Sequence, residues 1–178
     1  DIWTIDGSLN TLSDRPGMDS QKTNSYGIKV FHSFDGFELQ SFTSSTDTDV
    51  VFSYDADWGN TDSHFPYVYD YFSETLRDRR SFNQEFRIVS DSADFLQDSF
   101  IEWVVGANYL ELKESNFKKD DGLYGDPTDP FGPYASASSS SSQYKSSNIS
   151  VFGNLDYLLS ASLKFSIGLR VEDWEANY

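Results

Sequence analysis

Residues 163–172 (LKFSIGLRVE) alternate without a break. Leu163, Phe165, Ile167, Leu169 and Val171 fall on one side of an extended chain; Lys164, Ser166, Gly168, Arg170 and Glu172 fall on the other. Successive strand side chains point to opposite faces, so this is a strand with one apolar and one polar face. The pattern recurs. Ile101, Trp103, Val105, Ala107 and Tyr109 oppose Glu102, Gly106 and Asn108. Val151, Gly153, Leu155 and Tyr157 oppose Asn154 and Asp156. Phe82, Phe86 and Ile88 oppose Asn83, Glu85 and Arg87. Alternation alone fits a sheet on a soluble core as well as a wall between lipid and water.

The connections separate these two. Strand-like runs cover 24–34, 37–54, 81–90, 100–113, 148–158 and 163–174, and Asp35-Gly36 is a strong hairpin signal. The connections 35–36, 91–99 and 159–162 are short. The segments 1–23, 55–80 and 114–147 are long and read as loops. The last of these holds Asp126-Pro127, Asp129-Pro130, Gly132-Pro133 and the serine run 138–142. Residues 74–80 suit one helical turn. Short turns on one side and long loops on the other mark a transmembrane barrel. The expected fold is therefore all-β: an antiparallel transmembrane β-barrel segment of six strands in three hairpins. The whole of 1–178 belongs to one barrel domain. A closed membrane barrel takes at least eight strands, and an open edge cannot stand in lipid. The chain is expected to be part of a larger barrel.

Composition agrees. Fifteen Phe, eleven Tyr and four Trp stand beside abundant polar loop residues. That balance suits an outer-membrane barrel or a secreted sugar-binding β-sandwich. A net charge of -16 argues against a nucleic-acid partner, and the lack of Cys excludes disulfides and thiolate chemistry. Two His leave little for a His-based metal site, and no cofactor is expected.

The residues also carry a family resemblance. The stretch SFNQEFRIVSDSADFLQDSFIEWVVGANYLELK (81–113) resembles a strand pair of TonB-dependent outer-membrane receptors. NISVFGNLDYLLSASLKFSIGLRVEDW (148–174) resembles their FG-LDY…GLR-E hairpin, and FDGFELQSFTSSTDTDVVFSYDADW (34–58) resembles a third segment. The resemblance implies a barrel of about 22 strands around an N-terminal plug. It implies uptake of a scarce nutrient such as an iron-siderophore complex, driven through TonB, and residence in the cell outer membrane. The partners implied are the lipid bilayer, a plug domain and TonB. No plug-like sequence, TonB box or C-terminal insertion strand is found in these residues. Two alternatives stand beside this reading: a secreted carbohydrate-binding β-sandwich, and a plug-less porin-like barrel.

Candidate sites follow. Glu85, Arg87, Arg170 and Glu172 share polar faces and suit either a solute path or ion pairing across strands. Trp58, His64, Tyr67, Tyr69 and Tyr71 crowd the segment 55–80. They suit ligand capture by stacking and hydrogen bonding, or an interfacial aromatic girdle to which Tyr54 also belongs. Asp55, Asp57 and Asp62, and Asp120, Asp121, Asp126 and Asp129, are acidic runs without calcium-loop spacing and read as solvated loops. No nucleophile, zinc or phosphate-loop motif is present, and no enzymatic activity is expected.

Overall fold

The computed structural model describes residues 13–60, 62–91, 100–160 and 162–178. These form six strands: β1 (Met18–Phe34), β2 (Phe37–Asp55), β3 (Val68–Ser90), β4 (Phe100–Gly125), β5 (Tyr134–Ser160) and β6 (Leu163–Asn177). They make one sheet in sequence order, with β1 and β6 at its edges, and it is not closed into a barrel. Two compact units divide the chain. A loop unit draws on residues within 13–22, 48–78 and 115–142; a turn unit draws on 23–47, 79–114 and 143–178.

The expected hairpin at Asp35-Gly36 is present, with Gly36 at φ 84, where a side chain would be strained. The Asp91 N–H donates to the Gly36 carbonyl at 3.0 Å. The expected segments 1–12 and 92–99, and position 161, lie outside the described residues.

The long loops are corrected. Residues 68–80 belong to β3, 114–125 to β4 and 134–147 to β5, and residues 74–80 are strand rather than a helical turn. Residues 18–23 begin β1. The connections shrink to 56–67 and 126–133. In the run SASSSSSQYKSS of β5 both faces are polar, so period two leaves no trace in hydropathy. Backbone ladders and polar pairs hold these extensions instead. The Ser73 hydroxyl donates to Asp120 at 2.6 Å, the Arg77 Nε to Asn116 at 2.8 Å and the Arg79 Nε to Glu114 at 2.7 Å.

Burial is inverted relative to a water-soluble domain. Among the described residues no apolar side chain is buried, while Ser53, Asp55, Ser73, Ser146, Asn148 and Ser150 are. Leu169 is 73 % exposed, and Asn148 only 2 %. Hydrophobic burial normally runs the other way.

The β5–β6 register defines the two faces. Val151 pairs with Val171, Leu155 with Ile167 and Tyr157 with Phe165. On the opposite face Ser150 pairs with Glu172, Asn154 with Gly168 and Asp156 with Ser166. A Cβ built on Gly106 would meet Phe152, and Asn108 donates to Asn83 at 2.7 Å, which extends the polar face across β4 to β3. The apolar face is bounded by charge. Asp173 follows Val171 on β6, Glu111 follows Tyr109 on β4, and Arg80 precedes Phe82 on β3. Glu111 binds Lys113 at 2.6 Å and Lys145 at 3.1 Å; Arg80 meets Asp47 at 3.6 Å. Between such limits β6 offers residues 163–171, close to the roughly 9–11 residues of a tilted membrane strand.

Candidate functional site

The loop 56–67 is built around one carboxylate. Asp57 Oδ1 accepts from the Gly59 N–H at 2.8 Å, and Oδ2 accepts from the Tyr71 N–H at 2.6 Å. This clamp joins the loop to β3. Trp58, between its two arms, takes φ 60, an uncommon conformation for a bulky residue. Its indole projects outward and is 80 % exposed. Asn60 continues the turn by accepting from the Asp62 and Ser63 N–H groups at 3.0 Å each.

Removing the clamp strands two N–H donors. Asp57→Ala is expected to cost the loop about 1.5 kcal/mol of local stability, the low end for a charge-assisted hydrogen bond because Asp57 is only partly buried. Amide exchange at Gly59 and Tyr71 measures this; unchanged protection there contradicts the clamp.

The predicted aromatic residues separate into two groups. His64 meets Tyr69 edge-on at 5.2 Å, and Tyr69 meets Tyr71 at 4.7 Å, so these three form a row. Tyr69 and Tyr71 stand on β3, not on a loop. Tyr71 lies over Gly122, where an added Cβ would clash with its ring. The Tyr67 N–H donates to the His64 carbonyl at 2.8 Å, but its ring, like Trp58, stands apart from the row. Trp58 sits on the connection 56–67.

Sequence reasoning did not single out Phe131. It is 84 % exposed on the loop 126–133, and Phe65 is 82 % exposed on the loop 56–67. A Cβ on Gly125 would touch both Pro133 and Val68, so the two loops meet at their roots. The loop 126–133 is set by its own carboxylates. Asp126 Oδ1 accepts from the Thr128 N–H at 2.8 Å and hydroxyl at 2.7 Å. Asp129 accepts from the Phe131 N–H at 2.9 Å and the Tyr134 hydroxyl at 2.7 Å.

The side-chain and backbone hydrogen bonds from Thr128 hold the Asp126 carboxyl below its usual range. A lowered folded pKa contributes order that is present above the ordinary carboxylate pKa and lost as pH falls through the lowered one. The Thr128 amide shift is therefore expected to stay constant from neutral pH down to the ordinary carboxylate range and to change only below it. A transition above that range contradicts the assignment.

Arg15, which sequence reasoning also missed, leads into β1 and reaches strands β3 and β4. Its guanidinium donates to Asp70 at 3.2 Å and Asp121 at 3.0 Å and lies 4.4 Å from the Phe72 ring centre. No local pattern marked it, because its partners are distant in sequence.

The polar-face charges pair along their own strands. Glu85 binds Arg87, and the Arg170 Nε donates to Glu172 at 3.0 Å. Arg87 also lies 5.2 Å from the Phe42 ring centre. Lys164 bridges Asp156 at 3.0 Å and Glu102 at 3.5 Å across strands. Lys164 thereby ties β6 to β5 and β4 on this face. Both Asp55 carboxylate oxygens are buried without a hydrogen-bond partner. Among the described residues no group of three or more His, Asp or Glu is placed to hold a metal.

No family model matches the chain, and no curated protein matches it.

Proposed function

We propose that this chain is part of the wall of an outer-membrane transport barrel of the TonB-dependent receptor type, serving uptake of a scarce nutrient such as an iron-siderophore complex. The inverted burial carries the reading. Exposed Leu163, Phe165, Ile167, Leu169 and Val171 on β6 and Ile149, Val151 and Leu155 on β5 cover one face, and buried Ser and Asn belong to a sheet with no apolar core among its described residues. Water penalises that arrangement and lipid rewards it. The charge limits on β3, β4 and β6 and the resemblance of three segments to the receptor family support it further.

In this role the polar face lines the lumen. Glu85, Arg87, Arg170 and Glu172 present fixed charge to a plug or a passing solute. The loops 56–67 and 126–133 lie outside the cell. Trp58, Phe65 and Phe131 offer exposed rings for capture, with the row His64, Tyr69 and Tyr71 behind them. The unpaired edges of β1 and β6 join neighbouring barrel strands, as backbone groups in lipid require. Gating belongs to the plug and TonB.

The test is the state of the 178-residue chain in plain buffer and in detergent micelles. β structure that appears only in micelles, or with neighbouring barrel strands supplied, is the expected result. A monodisperse β-rich monomer in buffer overturns the membrane reading.

A further inference from the structure

Gly59 is buried within the loop 56–67. A Cβ on it would lie 2.9 Å from His64 Nε2, 3.2 Å from Ser63 Cβ and 3.3 Å from Asp57 Oδ1. The imidazole and the carboxylate therefore border one gap, the space a side chain at position 59 would fill. His64 Nε2 is buried there without a hydrogen-bond partner. A neutral imidazole leaves that atom either an acceptor with no donor or a donor with no acceptor, and a buried polar atom in that state is costly. Asp57 Oδ1 accepts from the Gly59 N–H at 2.8 Å and keeps further acceptor capacity.

We infer that His64 and Asp57 form a proton-operated latch on this loop: protonation gives Nε2 a hydrogen to direct across the gap at Asp57, and the resulting charge pair tightens the clamp around Trp58. Only the consequence for ligand capture rests on the function proposed above; the latch itself is local to the loop. Histidine is the side chain that gains or loses charge between about pH 5 and 8. An opposite charge a few ångströms away favours the charged imidazole, and burial of Nε2 opposes it. The charge prevails, because His64 as a whole is only partly buried and the loop 56–67 holds no Lys or Arg to compete for Asp57. From β3, Tyr69 meets the imidazole edge-on at 5.2 Å, and Tyr71 stands beyond it with its N–H on Asp57 Oδ2. Asp70 of β3 is held by Arg15, and Asp120 of β4 by Ser73 and Lys118. Asp62, on the loop itself, is exposed, and Asp55, at the end of β2, is buried without a partner. The order that the pair adds is present on the acid side and is lost as pH rises and the imidazole gives up its proton.

The test follows the Gly59 amide and the Trp58 indole by NMR in the full chain, folded in micelles with its neighbouring barrel strands supplied. Protection of the Gly59 amide, relative to the unfolded-chain rate, is expected to rise roughly two- to fivefold from about pH 8 to about pH 5, the yield of a partly exposed ion pair. The Trp58 indole shift is expected to move in step with the His64 ring protons. His64→Gln, which cannot take up charge, removes the rise. Gly59→Ala, whose Cβ displaces the imidazole, removes it too and keeps the test decisive if the first variant disturbs the loop. A flat profile in the wild-type chain overturns the latch. So does a rise that survives His64→Gln, which would belong to Asp55 or Asp62. Folding as a monomer in plain buffer overturns the wall reading alone, and the same titration run there still judges the latch.

Discussion

Ile167→Arg is expected to destabilise the membrane-inserted chain by about 2–4 kcal/mol, the cost of a charge on the lipid face of a barrel near the bilayer midplane. Ile167 pairs with Leu155 and stands midway along the apolar row from Leu163 to Val171. No carboxylate pairs with it across the strand, so the guanidinium has to climb to an interface or thin the bilayer. Ser139→Arg, on the polar reach of β5, is expected to stay within about 0.5 kcal/mol of wild type. Urea titration of the chain folded into vesicles of short-chain lipid with its neighbouring barrel strands supplied reads both. Similar small costs at the two sites contradict the membrane wall.

Gly106→Val is expected to cost about 1–3 kcal/mol, the range for forcing extra methyl groups into an occupied space. A Cβ there would lie 2.5 Å from Phe152 Cζ and 2.7 Å from the Phe86 carbonyl oxygen. The ring has room to swing away; the carbonyl belongs to the ladder and does not. Phe152→Leu is therefore expected to rescue only part of the loss, and a double-mutant cycle isolates the coupled share. Gly153→Ala serves as the control on the opposite face and is expected to be near neutral, since its nearest atoms lie 3.5 Å away. Equal effects of Gly106→Val and Gly153→Ala refute the packing argument.

The cores of the strands were legible because each carries alternation that only a strand satisfies. Leu163 to Glu172 is the clearest case, and Asp35-Gly36 marked its turn by chemistry. The polar halves were not legible. Nothing in YASASSSSSQYKSS separates a ladder-bound strand from a solvated loop, since neither face of it is apolar. The acidic and tyrosine-rich run before Arg80 misled for the same reason, though Tyr69 and Tyr71 two residues apart were a usable sign of one strand face. Of the candidate site, the same-face charges Glu85 with Arg87 and Arg170 with Glu172 were readable from period two. Their pairing within one strand was not. The Asp57 clamp and the Arg15 contacts depend on which strands lie side by side, and hydropathy does not encode that.

On the membrane-wall reading, the lengths of β3, β4 and β5 set what a protease outside the cell would meet. Nicking concentrates at exposed tips without a ladder. Segments 55–80 and 114–147, taken as loops, would offer trypsin Arg77, Arg79, Arg80, Lys118, Lys119 and Lys145. As strands these positions are shielded, and the remaining connections 56–67 and 126–133 contain no Lys or Arg. Trypsin shaving of intact cells would leave these connections whole. A protease that cuts after aromatic residues would open the first at Trp58 or Tyr67 and the second at Phe131.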